Sequence, residues 1–177
     1  MIQYTLIDGL LVFEGFKFTD LRGSLIKPYS KLFFKDENEE KNLDFKEVWF
    51  TKSKKNVIRG MHLQVGEYAC EKIVSVIQGK VLDVIIDIRK NSKTYGKVFE
   101  IELSDDNNKA VYIPTGCAHG YKVLEDNTIA MYMATEVNMP NYDVGIMWNS
   151  FSYNWKIENP IISDKDNNLP SFDSIKL

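Results

Sequence analysis

The stretch that decides the fold is Ile73-Val74-Ser75-Val76-Ile77-Gln78-Gly79-Lys80-Val81-Leu82-Asp83-Val84-Ile85-Ile86-Asp87-Ile88. Two runs rich in β-branched residues flank Gln78-Gly79, a pattern that is typical of a β-hairpin. Asp83 and Asp87 share one face of the second run, and that face points either into a barrel or to solvent. The stretch predicts paired strands in an all-β domain.

Further β-prone segments recur at short intervals around this stretch, separated by clusters of Asp, Asn, Gly and Pro. They are Glu47 to Thr51, Val98 to Leu103, Ala110 to Ile113, His119 to Val123 and Ile129 to Thr135. Evenly spaced short strands indicate a sandwich or a barrel. A short helix is expected only within Tyr29 to Asn42, and the tail from Asn154 is expected to pack over the β-core, anchored by Ile161-Ile162.

Composition places limits on the class of protein. With 177 residues, 44% of them hydrophobic, the chain fits one domain over residues 1–177 with a full core. The net charge of −3 argues against nucleic-acid binding, and no apolar run approaches the roughly 20 residues of a membrane span. Cys70 and Cys117 form no CxxC pattern, so a reduced, cytoplasmic protein is expected.

Both histidines of the chain lie in dense polar blocks, Arg59-Gly60-Met61-His62-Leu63-Gln64 and Pro114-Thr115-Gly116-Cys117-Ala118-His119-Gly120-Tyr121. Histidine titrates closest to physiological pH, so these blocks indicate proton transfer or anion binding. A typical metal site takes three or four His, Cys or carboxylate ligands. Two separated histidines are too few unless carboxylates are recruited as further ligands, and no metal is expected.

Many blocks of the chain, in order, resemble the dTDP-4-dehydrorhamnose 3,5-epimerase family. Besides the two histidine blocks they include Asp20-Leu21-Arg22-Gly23-Ser24, Glu71-Lys72-Ile73-Val74, Gly79-Lys80-Val81-Leu82-Asp83-Val84, Met131-Tyr132, Gly145-Ile146-Met147-Trp148-Asn149 and Ile162-Ser163-Asp164-Lys165-Asp166. The resemblance implies a cupin-type double-sheet jelly roll with short helical segments that epimerises nucleoside-diphosphate 4-keto sugars without a cofactor. It also implies a setting in the synthesis of a surface glycan.

The implied reaction removes a proton next to the C4 carbonyl, which leaves an enolate, and returns a proton to the opposite ring face. By resemblance His62 is the base, Asp166 orients its ring, Tyr132 is the acid and Lys72 holds the oxyanion. From the spacing alone, Tyr132 is read as an ordinary strand aromatic, and Asp166 lies in a polar tail where an aspartate commonly solvates a turn. The sugar ketone is the electron sink, consistent with the lack of a Gly-rich dinucleotide loop.

The resemblance also assigns the residues that bind the substrate, although Lys165 and Arg22 are open to a reading as surface charges. The sugar or diphosphate contacts are Arg22, Arg59, His119, Lys165 and Asp143. Arginine suits a diphosphate because its planar fork donates two parallel hydrogen bonds. A homodimer is implied, in which an N-terminal strand crosses into the partner's sheet and brings Arg22 to the neighbouring site.

Four positions depart from the pattern of members that act on thymidine nucleotides. Lys27 replaces a Glu, Glu47 and Trp49 replace a Gln and an Asn, and Asn138 replaces an aromatic residue that stacks on the base. Loss of that ring removes a contact worth about 1–3 kcal/mol. We therefore expect the epimerase chemistry to be kept, while the base or sugar that is recognised differs from that of thymidine-specific members.

Several readings stay open at this stage. The enzyme inverts C3 and C5, or C3 alone, of a sugar linked to dTDP, GDP, CDP or UDP, because one base and one acid serve either centre. A 3,4-ketoisomerase would move the carbonyl instead, and a sugar-nucleotide-binding cupin would bind without chemistry. A metal-dependent cupin oxygenase fits least well, since its first motif needs more than one histidine.

Overall fold

The structure is a computed structural model that describes residues 2–34 and 43–175. Its strands are β1 (Ile2–Tyr4), β2 (Leu11–Glu14), β3 (Phe16–Asp20), β4 (Gly23–Lys27), β5 (Glu47–Ser53), β6 (Ile58–Gln64), β7 (Lys72–Gln78), β8 (Lys80–Asp87), β9 (Val98–Ser104), β10 (Lys109–Ile113), β11 (Cys117–Val123), β12 (Thr128–Ala134) and β13 (Asp143–Gly145). The helical segments are α1 (Asp164–Asn167) and 3₁₀ turns at Lys31–Phe34, Gly66–Tyr68 and Phe172–Ser174. All five short strands predicted beyond the opening stretch are present, within two residues of their expected ends.

Two antiparallel sheets face each other and form the body of the molecule. One has six strands in the order β1-β2-β10-β7-β12-β5, and the other has five in the order β13-β6-β11-β8-β9. The remaining strands, β3 and β4, pair only with each other among the described residues and form a separate ribbon. The all-β, cupin-type double-sheet jelly roll expected from the sequence is confirmed.

The hairpin predicted for Ile73–Ile88 is wrong, although both of its strands exist. β7 pairs with β10 and β12 in the six-stranded sheet, whereas β8 pairs with β9 and β11 in the five-stranded sheet. Gly79, with a φ of 76°, lies at the point where the chain crosses between the sheets. Because nearly every residue of both runs is buried, each run lies in the interior of a sheet that is covered on both faces.

Apolar residues fill three layers around these sheets. Val74, Val111 and Ile85 belong to the layer between the two sheets. The outer face of the five-stranded sheet is covered by the C-terminal segment, whose Phe151 and Trp155 pack with residues of β6 and β8. The outer face of the six-stranded sheet packs against Phe34 and its neighbours. Both sheets are therefore held from two sides, which fixes the register of the strands between them.

The remaining sequence expectations have mixed outcomes. Of the helix predicted within Tyr29 to Asn42, the structure shows the 3₁₀ turn Lys31–Phe34, and residues 35–42 lie outside the described part. The tail packs on the β-core as predicted, since Ile161 bridges to Val57 and Ile162 contacts the outer apolar layer. Over residues 2–34 and 43–175, no helix is long and apolar enough to cross a membrane.

Asp87, at the end of β8, holds the loop that follows it. Its fully buried carboxylate accepts hydrogen bonds from Arg89, Ser92 and Thr94, at 2.6 to 2.9 Å from their side chains. Arg89 also donates to the carbonyl of Asp8 at 2.7 Å. Burial alone would raise the pKa of Asp87, but these donors outweigh it and lower the pKa from 3.8 to about 2.

We predict that Asp87→Asn lowers the free energy of unfolding at pH 7 by about 2 kcal/mol or more. The folded pKa lies below the unfolded one, so the stabilisation is fully present above about pH 4 and is lost as the pH falls through about 2. Urea unfolding of both proteins between pH 7 and pH 2 measures this difference. Equal stability at pH 7, or a gap that does not shrink with acid, would contradict the assignment.

Candidate active site

A cavity of about 300 Å³ opens between the two sheets. It gathers nine of the thirteen site residues predicted from the sequence. These are Glu47, Trp49, Arg59, His62, Lys72, His119, Tyr132, Asn138 and Asp143. The cavity is also lined by residues that the sequence did not single out as site residues, namely Thr51, Gln64, Cys70, Gly120, Ala134 and Glu136.

The two histidines meet because their strands are neighbours. β6 and β11 pair in the five-stranded sheet, and His62 lies directly opposite His119 in their register. Side chains at such paired positions point to the same face of a sheet, about 5 Å apart. Both reach the cavity, but His62 is partly exposed, whereas His119 is buried.

His62 is held from behind by Asp166. The His62 Nε2 lies 2.7 Å from Asp166 Oδ1, and the backbone N–H of Gly60 donates to Asp166 Oδ2 at 3.0 Å. Burial alone would raise the pKa of Asp166, but these two hydrogen bonds lower it below its ordinary value. An ionised carboxylate only accepts hydrogen bonds, so Nε2 carries the proton and Nδ1 is left as the basic nitrogen.

Asp166 owes its position to a short helix in the C-terminal segment. Ser163 precedes α1, and its hydroxyl accepts a hydrogen bond from the Asp166 N–H at 3.2 Å. A serine at this position satisfies one of the free N–H groups at the start of a helix. The Ser163-Asp164-Lys165-Asp166 sequence thus delivers a buried carboxylate to the back of His62.

His119 has a carboxylate partner of its own. Its Nε2 lies 2.7 Å from Asp83 Oδ1, and Asp83 is completely buried. Asp83 therefore faces the interior, one of the two orientations that its alternation with Asp87 allowed. The structure thus contains two neighbouring His–Asp pairs. The His62–Asp166 pair is partly exposed to the cavity, and the His119–Asp83 pair is almost completely buried.

Tyr132 occupies the opposite wall of the cavity, on β12 of the six-stranded sheet. Trp49 lies beside it on β5, and the two rings stack with centroids 4.9 Å apart and planes only 5° from parallel. Burial raises the pKa of the Tyr132 phenol well above 10, with further contributions from Tyr121 and Asp83. The phenol therefore carries its proton at neutral pH.

The cationic side chains of the cavity come from both walls. Arg59, on β6, donates from Nε to Ser53 at 3.0 Å, which fixes the direction of its guanidinium. Lys72, on the other wall, is the first residue of β7 and lies opposite Ala134 in the register. Together they place positive charge on two sides of the space between His62 and Tyr132.

Gln64 was missed by sequence reasoning although it organises the rim of the cavity. Its amide nitrogen donates to the carbonyls of Tyr68 and Val137, at 3.0 and 3.1 Å, and its oxygen accepts from Met139 N–H at 2.6 Å. Its position two residues after His62, on the same strand face, was an available signal. Gln64 ties together the two loops that carry Cys70 and Asn138.

The other four predicted residues lie outside the lining of the cavity. Asp166 stands behind His62, and Lys165 is paired with Asp143 at 2.5 Å. Arg22 and Lys27 lie on the β3–β4 ribbon, where Arg22 pairs with Asp20 at 2.6 Å. The structure therefore does not bring Lys27 or Arg22 to this cavity. Within the described residues, no three His, Cys, Asp or Glu side chains converge as metal ligands would, and the expectation of a metal-free site stays a prediction.

Comparisons with known proteins agree with this geometry. The family model described as dTDP-4-dehydrorhamnose 3,5-epimerase matches residues 4–174. The protein of that name from Shigella flexneri is 37% identical over 170 residues, which covers 95% of this chain and 93% of the relative. The chain thus matches this family over nearly its whole length.

Solved structures give the same result. The dTDP-4-dehydrorhamnose 3,5-epimerase of Bacillus anthracis, with TDP and PPi bound, is 33% identical with a TM-score of 0.90 and covers 97% of this chain and 98% of that one. The Legionella pneumophila enzyme in complex with dTDP-4-keto-L-rhamnose is 30% identical with a TM-score of 0.91, covering 99% and 94%. The chain therefore belongs to the dTDP-4-dehydrorhamnose 3,5-epimerase family of isomerases, which act on 4-keto sugar nucleotides.

Proposed function

We propose that this enzyme inverts C3 and C5 of a dTDP-linked 4-keto-6-deoxy hexose without a cofactor. The observation that carries the proposal is the placement of His62 and Tyr132 on opposite walls of one cavity. Inversion requires a base on one face of the sugar ring and an acid on the other. The two facing sheets provide that separation.

In the proposed mechanism, His62 Nδ1 removes the proton next to the ketone. Asp166 holds the ring in the required tautomer and stabilises the positive charge that His62 gains. Negative charge moves onto the C4 oxygen, where Lys72 offers an ammonium group. Tyr132, which burial keeps protonated, then donates to the opposite face of the same carbon.

The substrate's charged part requires cations, and the cavity and its rim supply them. We assign the diphosphate or sugar contacts to Arg59 and His119, with Asp143 and Lys165 at the edge. The Lys165–Asp143 ion pair is short, and Lys165 is largely exposed, so a diphosphate can compete for the ammonium group. The opposed acid and base favour epimerisation over simple sugar-nucleotide binding and over a 3,4-ketoisomerase.

The identity of the nucleotide depends on the positions that depart from the thymidine-specific pattern. The relatives named above carry dTDP in their names. Two of the departing positions, however, act together here, since Asn138 N–H donates to Glu47 Oε2 at 2.8 Å. One face of the Trp49 ring is stacked against Tyr132, so a nucleotide base that stacks on Trp49 must use the other face. A GDP- or CDP-linked substrate is the second candidate, because a carboxylate accepts from the amino groups of guanine and cytosine.

We also propose a homodimer built through the β3–β4 ribbon. Phe18 lies opposite Leu25 in the register, and Phe16 lies opposite Lys27, so these side chains share one face. Phe16, Phe18 and Leu25 are about half exposed. A ribbon that pairs with no other described strand and carries an apolar face fits a second copy of the chain. In such a dimer, Arg22 at the ribbon's tip would reach the neighbouring cavity.

We further propose that the enzyme works in the cytoplasm. Cys70 and Cys117 are both free thiols, as is usual in a reducing compartment. Neither takes part in the proposed chemistry, because burial raises the pKa of both thiols, that of Cys117 to about 12.

The base and the acid are separable by isotope exchange in D₂O. His62→Ala should abolish deuterium uptake at the positions next to the ketone, with a loss of at least about 100-fold. Tyr132→Phe should retain uptake but lose inversion, because His62 can return a deuteron only to the face from which it took the proton. Proton NMR of a dTDP-4-keto-6-deoxy hexose measures both quantities, counts the inverted centres and detects any shift of the carbonyl to C3. Retained exchange in His62→Ala would reject the assignment.

The nucleotide is identified by titrating the wild-type enzyme with dTDP, GDP, CDP and UDP. The dTDP-linked relatives outweigh the four departing positions, so we expect dTDP to bind most tightly, contrary to the expectation from those positions alone. Tighter GDP or CDP binding would favour the second candidate. Glu47→Gln should raise the affinity for dTDP about fivefold. The substitution removes a carboxylate from the cavity that takes the anionic ligand, and with it an electrostatic repulsion of roughly 1 kcal/mol. Calorimetry measures the change, and a loss of dTDP affinity would show instead that the Glu47 charge reads the ligand.

The ribbon is tested by changing its apolar face. Phe18→Lys combined with Leu25→Lys should convert the dimer to a monomer, because charges would be buried at the interface. Thr19→Lys combined with Ser24→Lys, on the other face of the same ribbon, is the matched control and should leave the dimer intact. Sedimentation equilibrium gives the mass of each, and a wild-type monomer would contradict the proposal.

A further inference from the structure

Trp49 lies beside the proposed acid at the edge of the six-stranded sheet. In the register, Tyr132 has Val74 of β7 on one side and Trp49 of β5 on the other. Val74 is completely buried, whereas β5 is the last strand of its sheet, and no described strand pairs with its outer edge. Trp49 therefore stands between the Tyr132 ring and the open edge of the sheet.

The contact between the two rings restricts how the tyrosine can turn. Their centroids are 4.9 Å apart and their planes differ by 5°. Within the described residues this is the closest aromatic contact of Tyr132, because the rings of His119 and Tyr121 lie 5.9 and 6.4 Å away, at 70° and 40°. Rotation of the phenol about its Cβ–Cγ bond would drive a ring edge into the indole. The parallel stack thus fixes the plane of the tyrosine ring.

A fixed plane matters because an acid must point at the carbon that it protonates. The torsion that turns a tyrosine ring has broad energy wells, so the side chain alone does not set the direction. A misplacement of about 1 Å in a reacting group can cost roughly 100-fold in rate. The stack acts on the ring and leaves the hydroxyl to the substrate. It can therefore aim the acid without taking up the group that donates the proton.

We propose that Trp49 is a positioning residue for Tyr132, an inference that rests on the proposed epimerase function. Trp49 holds the phenol toward the sugar and exchanges no proton itself. The proton still passes from the Tyr132 oxygen to the enolate carbon. Removal of the first proton depends on His62 and Asp166, which belong to β6 and α1 on the other side of the cavity. Trp49 thus controls the return of the proton and not its removal.

The two steps are counted separately when the reaction runs in D₂O. Total deuterium next to the ketone counts proton removals, and inverted carbons count returns from Tyr132. In Trp49→Leu, total uptake should stay within about threefold of wild type, while inversions per deuterium taken up should fall at least about tenfold. Deuterium should then accumulate in uninverted substrate. Proton NMR of substrate and product early in the reaction measures both quantities.

Matched variants separate positioning from a general effect on the fold. Trp49→Phe keeps a ring that can stack, and its ratio of inversion to uptake should lie within about threefold of wild type. Phe50→Ala changes the next residue, which is exposed on the opposite face of β5, and should match wild type. Circular dichroism checks that each variant is folded. If Trp49→Leu is not, the comparison is made with Trp49→Met, which keeps more of the side-chain volume but offers no ring.

The outcomes that contradict this role are distinct. A merely structural role would lower uptake and inversion equally, and an unchanged ratio in the ringless variant would likewise overturn the proposal. If the wild-type protein neither takes up deuterium nor inverts a carbon, the proposed function itself fails. If the wild type inverts while the ringless variant keeps the wild-type ratio, only the positioning role of Trp49 fails.

Discussion

Two β-sheets that face each other across one cavity are the constraint on which the rest of the molecule depends. Each sheet contributes its own wall, so a group on β6 and a group on β12 meet only through the space between them. A sugar ring placed in that space is approached from two sides at once. Apolar layers on both outer faces keep the walls in register, which is what a fixed distance between the walls requires.

The charges of the site are ordered by burial. His62 and Asp166 form a pair that is partly open to the cavity, so the histidine can exchange protons with a ligand. His119 and Asp83 form a pair that is almost completely buried at the cavity wall, so it is suited to present a fixed arrangement of hydrogen bonds to a ligand. Two pairs of the same residue types thus differ in what they can do, because burial changes how readily a charged group exchanges protons.

The fold class and most strands were predictable because alternation of apolar residues is a local property. Which sheet a strand joins was not, and the hairpin at Gly79 failed for that reason. The continuous apolar runs on either side of Gly79 do not distinguish two strands of one sheet from one strand in each of two sheets. Only the long-range pairing of β7 with β12 and of β8 with β11 decides it.

The candidate site was predictable where it followed a motif and less so where it depended on packing. Resemblance named His62, Tyr132 and Lys72, which all line the cavity. It could not place Lys27, whose strand lies on a ribbon apart from both sheets. Thr51 and Gln64 were overlooked, yet each follows a named residue by two positions, Trp49 and His62 respectively, and so shares its strand face.

The support of His62 by Asp166 has a consequence for the order in which the site is assembled. Every wall of the cavity is complete by Asp143, whereas the carboxylate that orients the histidine arrives with α1, later in the chain. During synthesis from the N-terminus, a nascent chain can close both sheets while its histidine ring is still free to turn. Under the proposed mechanism, docking of the α1 segment completes the active site, because it brings the Asp166 carboxylate to His62.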